Sequence, residues 1–404
     1  MVIDTGDASR PFTGARDAGA EARAAEAVRA LVSALTDAAG DAWAGAALGG
    51  ALGLGEGTTV LGRDGTGHPG DPFELLAVLD APVRDVPALE RHLAKAVFET
   101  AKSRRVEASV AAVARRGLRL LPPTFWNMEL VAARRVVAGP AALLPPYAEV
   151  FHGAPDRAEG VRLLAKTGAR LLAAERLVDR SATGARAREA LRTVRAADLA
   201  LGAVVLLSAG RWTPGTRARE EALRALASAG SEGLRRTGFH AQMNWTRFRD
   251  LVERHQAAAL ALEVPEGAET SDARRQVARA GDRFMEVLRL FEEERLGVPL
   301  PNWTEYAIAL ARRRSGAAVS ELFGDGEETA TDVAVAARLA RKSARSWPLA
   351  ERLAPAVAAL VDWDPGDLPI APVLLDLPDI APREALRQRA IANRPAPPSL
   401  HTVR

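Results

Sequence analysis

The spacing of apolar residues changes along the chain and predicts two kinds of structure. Short apolar runs of strand length, bounded by Gly, Pro or charged residues, are concentrated in the first 150 residues. They occupy residues 42–49, 73–79 and 106–113, with a shorter run at 118–121. Residues 15–39 and 86–104 instead place apolar side chains at helical spacing. This order predicts a small domain in which helices pack on one mixed sheet.

After residue 146 the apolar positions follow a helical period almost throughout. Residues 284–291 carry an i, i+3, i+4, i+7 stripe, which is typical of a helix with one buried face. Thr270 or Ser271 is suited to cap the beginning of this helix, and Gly297 is suited to end it. We therefore expect an α-helical bundle with almost no strand.

These patterns divide the chain into four segments and predict an α+β fold. The segments are a flexible N-terminal tail (1–14), an α/β domain (15–150), an α-helical bundle domain (151–363) and a Pro-rich C-terminal tail (364–404). The chain has 404 residues, more than one ordinary hydrophobic core supports, which agrees with two domains.

Composition narrows the classes of function. The chain has no cysteine, which excludes disulfides, zinc-thiolate sites and thiol nucleophiles. A net charge of +3 does not indicate a nucleic-acid-binding face, and we expect no nucleic-acid partner. Residues 1–16 lack the apolar core of a signal peptide, and no apolar run is long enough to span a membrane. We expect a cytoplasmic protein without a membrane span.

A glycine-rich turn between the first two apolar runs carries the most specific signal. It reads Gly50-Ala51-Leu52-Gly53-Leu54-Gly55-Glu56-Gly57, and the next run begins Phe73-Glu74. No Gly-Lys-Ser/Thr follows, so the turn is not a Walker loop. No helix is predicted after it and a second strand comes soon, so it is not a dinucleotide fingerprint either.

This combination resembles the nucleotidyltransferase superfamily, and most closely bacterial nucleotidyltransferase-domain proteins whose loop is of the type Gly-Ser-x-Gly-Arg-Gly-Glu-Gly. Members carry Gly-Ser after the first strand, Asp-x-Asp on the next and a third carboxylate on a later strand. The segments 121–127 and 199–212 also look like that family. The resemblance covers roughly residues 40–225.

The resemblance implies a set of site residues. It assigns nucleotide binding to Gly50, Ala51, Gly53, Gly55 and Glu56. It assigns metal binding to Asp71, Glu74 and Glu107, with Glu74 and Glu107 as the catalytic pair. In such a site, carboxylates hold divalent metals that bridge the triphosphate and activate the acceptor hydroxyl.

The chain departs from the family at four of these positions. Ala51 replaces the serine, Leu54 replaces the arginine, and Pro72 and Glu74 stand at the two aspartates. Asp71 is out of register by one residue. The hypothesis is therefore a degenerate nucleotidyltransferase, a non-catalytic binding or scaffold protein with weak nucleotide affinity and an unknown protein partner.

Two other functions stay open. The first is an active nucleotidyltransferase that uses Mg²⁺ on Glu74 and Glu107 to move a nucleotidyl group to an unknown acceptor. The second is a ribonuclease in the helical domain, because the segment from Arg249 to His255 resembles the Arg-(Asn/Asp/His)-x-His motif of HEPN ribonucleases, in which histidine acts as acid or base. An exposed, charged helix face accounts for the same residues.

Three further groups have structural interpretations. Trp126 is expected to pack at a helix start, and the Arg134-Arg135 pair is expected at a solvated helix end. His68, in the loop between the two key strands, is expected to be exposed, with a phosphate contact as the alternative.

Overall fold

The computed structural model describes residues 10–61, 65–179, 184–239, 243–260, 269–300 and 383–392. Its strands are β1 (Trp43–Gly49), β2 (Thr59–Leu61), β3 (Gly67–Pro69), β4 (Phe73–Leu79), β5 (Ala108–Ala114) and β6 (Arg135–Ala138). The helices before residue 151 are α1 (Ala18–Ala39), α2 (Gly50–Leu54), α3 (Val86–Arg104), α4 (Phe125–Ala133) and α5 (Tyr147–Val150). The later helices are α6 (Arg157–Asp179), α7 (Gly184–Ser208), α8 (Thr216–Ser228), α9 (Ser231–Arg236), α10 (Trp245–Leu260), α11 (Thr270–Leu296) and α12 (Arg383–Ala392).

The protein is α+β, with a small mixed sheet of strand order β5-β4-β1-β6. β1 runs antiparallel to β4 and β6, whereas β4 runs parallel to β5. A parallel pair needs a crossover connection, and α3 supplies it. The strands predicted at 42–49, 73–79 and 106–113 are therefore neighbours in one mixed sheet, as expected. β2 and β3 form a separate two-stranded sheet.

One expected strand was wrong, and the short strands β2, β3 and β6 were not predicted. The run at 118–121 was a strand candidate, but Arg115–Leu120 forms a 3-10 helix. β6 was not predicted, because it is only four residues long and begins at an arginine. Such a short segment gives no readable alternation of apolar and polar positions.

The sheet buries both faces, which explains why its strands are almost wholly apolar. Phe73, Leu75 and Ala77 of β4 belong to a core with α1 and α3. Leu76 and Val78 belong to a second core with α4 and the later helices. Since side chains alternate along a strand, Glu74 lies on the second face. The second core is continuous from the sheet into the helical half.

The described helices of the second half pack as expected for a bundle. α6 contacts α7 and α11, and α7 also contacts α10. α11 begins at Thr270, but its N-cap residue is Glu269 and makes no side-chain capping hydrogen bond, so the expected N-cap at Thr270 or Ser271 was wrong. The helix ends before Gly297, which adopts the left-handed conformation at φ 73°. No strand occurs among the described residues between 157 and 300, and the expected helical region at 301–363 lies outside them. None of the described helices is both long enough and apolar enough to cross a membrane.

Residues 10–14, which we name the N-terminal strap, are not the flexible tail that we expected. The buried Arg135 side chain donates to the carbonyl oxygens of Arg10 and Pro11 at 2.7 and 2.9 Å. Thr13 is fully buried. The strap is held by a charged side chain reaching it from β6, and the sequence pattern of the strap itself carries no trace of that contact. Residues 1–9 lie outside the described residues.

Part of the predicted Pro-rich tail is also ordered as a helix. α12 packs on α6, and its Leu386 and Ala390 side chains are buried. This correction concerns only residues 383–392, because the other residues of 364–404 lie outside the described part of the chain.

Candidate functional site

The glycine-rich turn forms α2, a helix of five residues that follows β1 directly, although no helix was expected there. Gly50 has φ +61°, and a Cβ at this position would lie 2.7 Å from Oε2 of Glu74. A Cβ at Gly53 would lie 2.2 Å from the carbonyl oxygen of Leu48. Gly55 ends α2 in the left-handed conformation at φ 73°. Close packing and backbone conformation therefore account for three of the glycines.

Glu74, one of the two predicted catalytic residues, lies beside the glycine-rich turn. The indole Nε1 of Trp126 donates to its Oε2 at 3.0 Å. Burial raises the pKa of Glu74 above its ordinary value of 4.5, and the hydrogen bond from Trp126 only partly opposes this. Trp126 is thus a hydrogen-bond donor to Glu74 as well as the packing residue that we expected.

Charged side chains of α4 and α6 act on Glu74. Lys166 and Arg170, both on α6, lower the pKa of Glu74, whereas Glu129 on α4 raises it. Glu129 forms an ion pair with Arg219 of α8. The buried carboxyl of Glu74 therefore lies near two cations of α6 and near the carboxylate of Glu129.

Asp71, a predicted metal ligand, is held in the loop before β4. Its Oδ2 accepts hydrogen bonds from the backbone N–H of Thr58 at 2.5 Å and from the Thr58 hydroxyl at 2.8 Å. These bonds tie the two ends of the β2–β3 hairpin together. Asp71 consequently stabilises the hairpin, and its Oδ2 is bonded to Thr58 rather than placed with Glu74 as a metal ligand.

Glu107, the other predicted catalytic and metal-binding residue, is exposed just before β5. The parallel register pairs Glu74 with Ser109, two residues further along β5. Glu107 precedes the first paired residue of β5, so it is not level with Glu74 along the sheet. Among the described residues no group of three or more His, Asp or Glu side chains is arranged to hold a metal ion. The donor set therefore does not fit the Mg²⁺ site that the resemblance implies.

Glu56, predicted to bind nucleotide, caps a helix of the other half. Its carboxylate accepts hydrogen bonds from the backbone N–H groups of Thr216 at 2.6 Å and Arg217 at 3.2 Å. These are the first two residues of α8, whose preceding residue Gly215 offers no side-chain cap. A carboxylate is favourable at a helix N-terminus because it meets unpaired N–H groups and the positive end of the helix dipole. Glu56 therefore joins the two halves.

Replacing Glu56 by alanine should lower the free energy of unfolding by about 1–2 kcal/mol, because two N–H groups of α8 lose their acceptor. Urea denaturation followed by circular dichroism would measure the change. The matched control is Glu221→Ala, an exposed acid on the same helix, for which we expect less than about 0.5 kcal/mol. Equal losses in the two variants would contradict the capping role.

The two residues of the ribonuclease hypothesis are not brought together. Arg249 is exposed and forms an ion pair with Glu253 at 2.8 Å. His255 is fully buried, and a Cβ at Gly202 would lie 2.2 Å from its Nδ1. Burial lowers the pKa of His255 to about 4. The charged, exposed helix face that we gave as the alternative describes Arg249, whereas His255 is a core residue.

His68 lies on β3 and is exposed, as expected, with its ring nitrogen against the guanidinium of Arg23. Sequence reasoning missed the charged residues near Glu74, which are Glu129 of α4 and Lys166 and Arg170 of α6. It also missed Arg219 of α8, which forms an ion pair with Glu129. One signal was present in the sequence. Lys166 is one of few lysines in an arginine-rich chain, and Arg170 follows it by one helical turn.

Comparisons of the chain with protein-family models, with curated proteins and with solved structures gave no match. The function must therefore be argued from the geometry above.

Proposed function

We propose that this protein is a non-catalytic binding or scaffold protein built on a nucleotidyltransferase-like α/β domain. In this proposal the positions that resemble a nucleotide site now connect parts of the protein. It retains at most weak affinity for a nucleotide, and its main partner is another protein.

The observation that carries the proposal is that acids of the motif already accept hydrogen bonds from the protein's own donors. Glu74 accepts from Trp126, Asp71 from Thr58, and Glu56 from the N-terminus of α8. A metal or a triphosphate would have to displace these donors, and each lost hydrogen bond to a charged group costs about 1.5–3 kcal/mol. Ala51 also lacks the hydroxyl that the family uses for phosphate.

The runner-up is an active nucleotidyltransferase with Glu74 and Glu107 as metal ligands. One observation favours it, namely that Glu74 pairs with Ser109 of the adjacent strand β5, two residues after Glu107. In that case Glu74 would exchange the Trp126 hydrogen bond for a metal when nucleotide arrives.

Calorimetry separates the two proposals. We expect ATP and GTP to bind with a dissociation constant of about 1 mM or weaker, which corresponds to a binding free energy of about −4 kcal/mol. Affinity should be nearly the same in Mg²⁺ and in EDTA, and an assay with labelled triphosphate should show no transfer. Tight, Mg²⁺-dependent binding would contradict the proposal.

Matched variants sharpen this experiment. Glu74→Gln retains an oxygen that can accept from Trp126 but cannot bind a metal well, and Glu107→Gln removes the exposed charge. The scaffold proposal expects neither variant to change nucleotide affinity. The enzyme alternative expects both to abolish the effect of Mg²⁺.

A further inference from the structure

The strand β5 forms an outer edge of the four-stranded sheet, and β4 is its single neighbour among the described strands. The N–H of Phe73 on β4 donates to the carbonyl oxygen of Glu107 at 2.8 Å, which fixes the direction of the main-chain groups of β5. In this parallel register the N–H and C=O of Ser109 point towards β4, whereas those of Ala108 and Val110 point away from the sheet. The outer side of β5 therefore presents main-chain donors and acceptors to a further strand.

The open stretch of this edge is short and is bounded on both sides. The outward N–H of Ala112 donates to Oε1 of Glu90 on α3 at 3.1 Å. The outward N–H of Val106 donates to the carbonyl oxygen of Ala101 at 3.0 Å. Within the described chain, the outward N–H groups between these two positions have no acceptor. They belong to the residues on either side of Ser109, which is itself exposed and is the centre of the open stretch.

One face of α3 borders the open stretch and carries an exposed aromatic ring. Glu90, Ala94 and Phe98 follow one another at intervals of four residues and therefore share a face of the helix. The contact of Glu90 with Ala112 shows that this face lies over the edge of β5. α3 runs in the opposite direction to β5, so Phe98, about 12 Å along the helix from Glu90, lies roughly level with Ala108. Phe98 is 62% exposed, and Ala94 beside it is small and exposed.

The open stretch can pair with a second copy of itself about a twofold axis at Ser109. Antiparallel pairing about this axis places Ala108 of each copy opposite Val110 of the other. Because both residues direct main-chain groups outwards, each such pair exchanges both of its N–H···O bonds. The ladder then ends at the two N–H groups that already have acceptors, so no existing bond is broken. The two Ser109 side chains meet at the axis and are small enough for the close contact of such a pair.

The same axis makes the two α3 helices complementary to each other. The midpoint between Ala94 and Phe98 is level with Ser109, so the Phe98 ring of each copy meets Ala94 of the other in an antiparallel helix pair. Lys102 is exposed and lies one turn beyond Phe98, which places it opposite Glu90 of the other copy. Apolar contacts and pairs of opposite charge therefore follow from one axis.

We propose that the face formed by β5 and α3 binds a second copy of the chain and joins the two sheets into one continuous sheet. A contact of this kind is isologous, because each copy contributes the same residues. An extended peptide from another protein would satisfy the edge of β5, but it would not account for the match of Phe98 with Ala94. The proposal goes beyond the proposed function, because it does not involve the glycine-rich turn or its acids.

Sedimentation equilibrium of the full chain over a range of concentrations tests the proposal. We expect the mass to rise towards twice that of one chain as the concentration increases. Phe98→Asp places a charge against Ala94 of the other copy, and it should weaken association at least about tenfold, as expected for an aromatic residue at the centre of an interface. Ala108→Pro removes an outward N–H at the first position of an edge strand, where proline is tolerated. It should weaken association to a similar extent.

Matched variants change similar residues elsewhere on the surface. Leu260→Asp adds a charge at an exposed apolar residue of α10 and should leave association unchanged. Lys102→Glu should weaken association about fivefold, because an exposed ion pair is lost in each copy and like charges then face each other. Its control is Arg29→Glu, at an exposed basic residue of α1, which should have no effect on association.

Two results would overturn the proposal. The first is a native chain that stays monomeric up to about 1 mM, which would leave the edge of β5 to another kind of partner. The second is a dimer that Phe98→Asp and Ala108→Pro form as well as the native chain does, because another face would then make the contact. Circular dichroism checks that the variants fold. Should Ala108→Pro unfold, Phe98→Asp decides the outcome, since its exposed side chain does not support the core.

Discussion

Replacing Arg135 by methionine should lower the free energy of unfolding by about 4 kcal/mol, because charged hydrogen bonds contribute about 1.5–3 kcal/mol each. The buried guanidinium donates to the carbonyl oxygens of Arg10 at 2.7 Å, Pro11 at 2.9 Å and Leu52 at 3.1 Å. It also lies 3.6 Å from the ring centre of Phe12. The variant would leave the carbonyl at the end of α2 without this donor and release the N-terminal strap from β6.

The neighbouring arginine provides the control. Arg134 is exposed and caps the end of α4, so Arg134→Met should cost less than about 0.5 kcal/mol. Urea denaturation gives both values, and limited proteolysis should cut the strap only in the Arg135 variant. A loss below about 1 kcal/mol for Arg135→Met would show that water replaces the guanidinium at these carbonyls.

The elements that sequence reasoning predicted well are those whose signal is local. β1 and β4 are apolar over strand length because both faces of the sheet are covered. α3 was predicted at 86–104 and occupies Val86–Arg104, because its apolar spacing marks one buried face. The spacing of apolar residues indicates which side chains are buried, and each of these elements has a buried face.

The contacts that sequence reasoning missed are distant along the chain. Glu56 and Thr216 are separated by 160 positions, so nothing near Glu56 indicates that it caps a helix. Arg135 was expected at a solvated helix end, since a lone arginine is rarely buried. Its burial depends on three carbonyl groups that only the folded chain brings together. The same reason explains why the cations beside Glu74 were not predicted.

The positions of the candidate site residues also depend partly on local signals and partly on contacts between distant parts of the chain. Glu74 lies beside Gly50 of the turn, because the antiparallel pairing of β1 with β4 brings the start of β4 next to the end of β1. Whether Glu74, Asp71 and Glu107 converge depends on strand register and on the loop before β4, which one sequence does not determine. The side chains that donate hydrogen bonds to these acids, Trp126 to Glu74 and Thr58 to Asp71, come from other elements.

The second large effect is expected at the ion pair that joins α7 to α11. Arg283 donates to Oδ1 of Asp198 through two nitrogens at 2.7 and 3.1 Å, and both side chains are largely buried. Arg283→Met should lower the free energy of unfolding by about 3–5 kcal/mol at pH 7, because it leaves a buried carboxylate without its cation. Arg235→Met, which removes an exposed pair with Glu232, should cost less than about 1 kcal/mol.

The deficit of Arg283→Met, meaning its loss of free energy of unfolding relative to the native chain, should depend on pH, and that dependence identifies its cause. Burial raises the pKa of Asp198 above its ordinary value of 3.8, and Arg283 opposes that change, so its removal should raise the pKa further. A carboxyl with a raised pKa in the folded state favours folding at low pH and loses this contribution as the pH rises through that pKa. The deficit of Arg283→Met should therefore be largest at neutral pH and shrink as the pH falls towards 3.8. Adding Asp198→Asn should recover part of the loss at pH 7, since the uncompensated charge is then gone. A deficit that is independent of pH, together with no recovery in the double variant, would assign the loss to packing of the Arg283 stem instead.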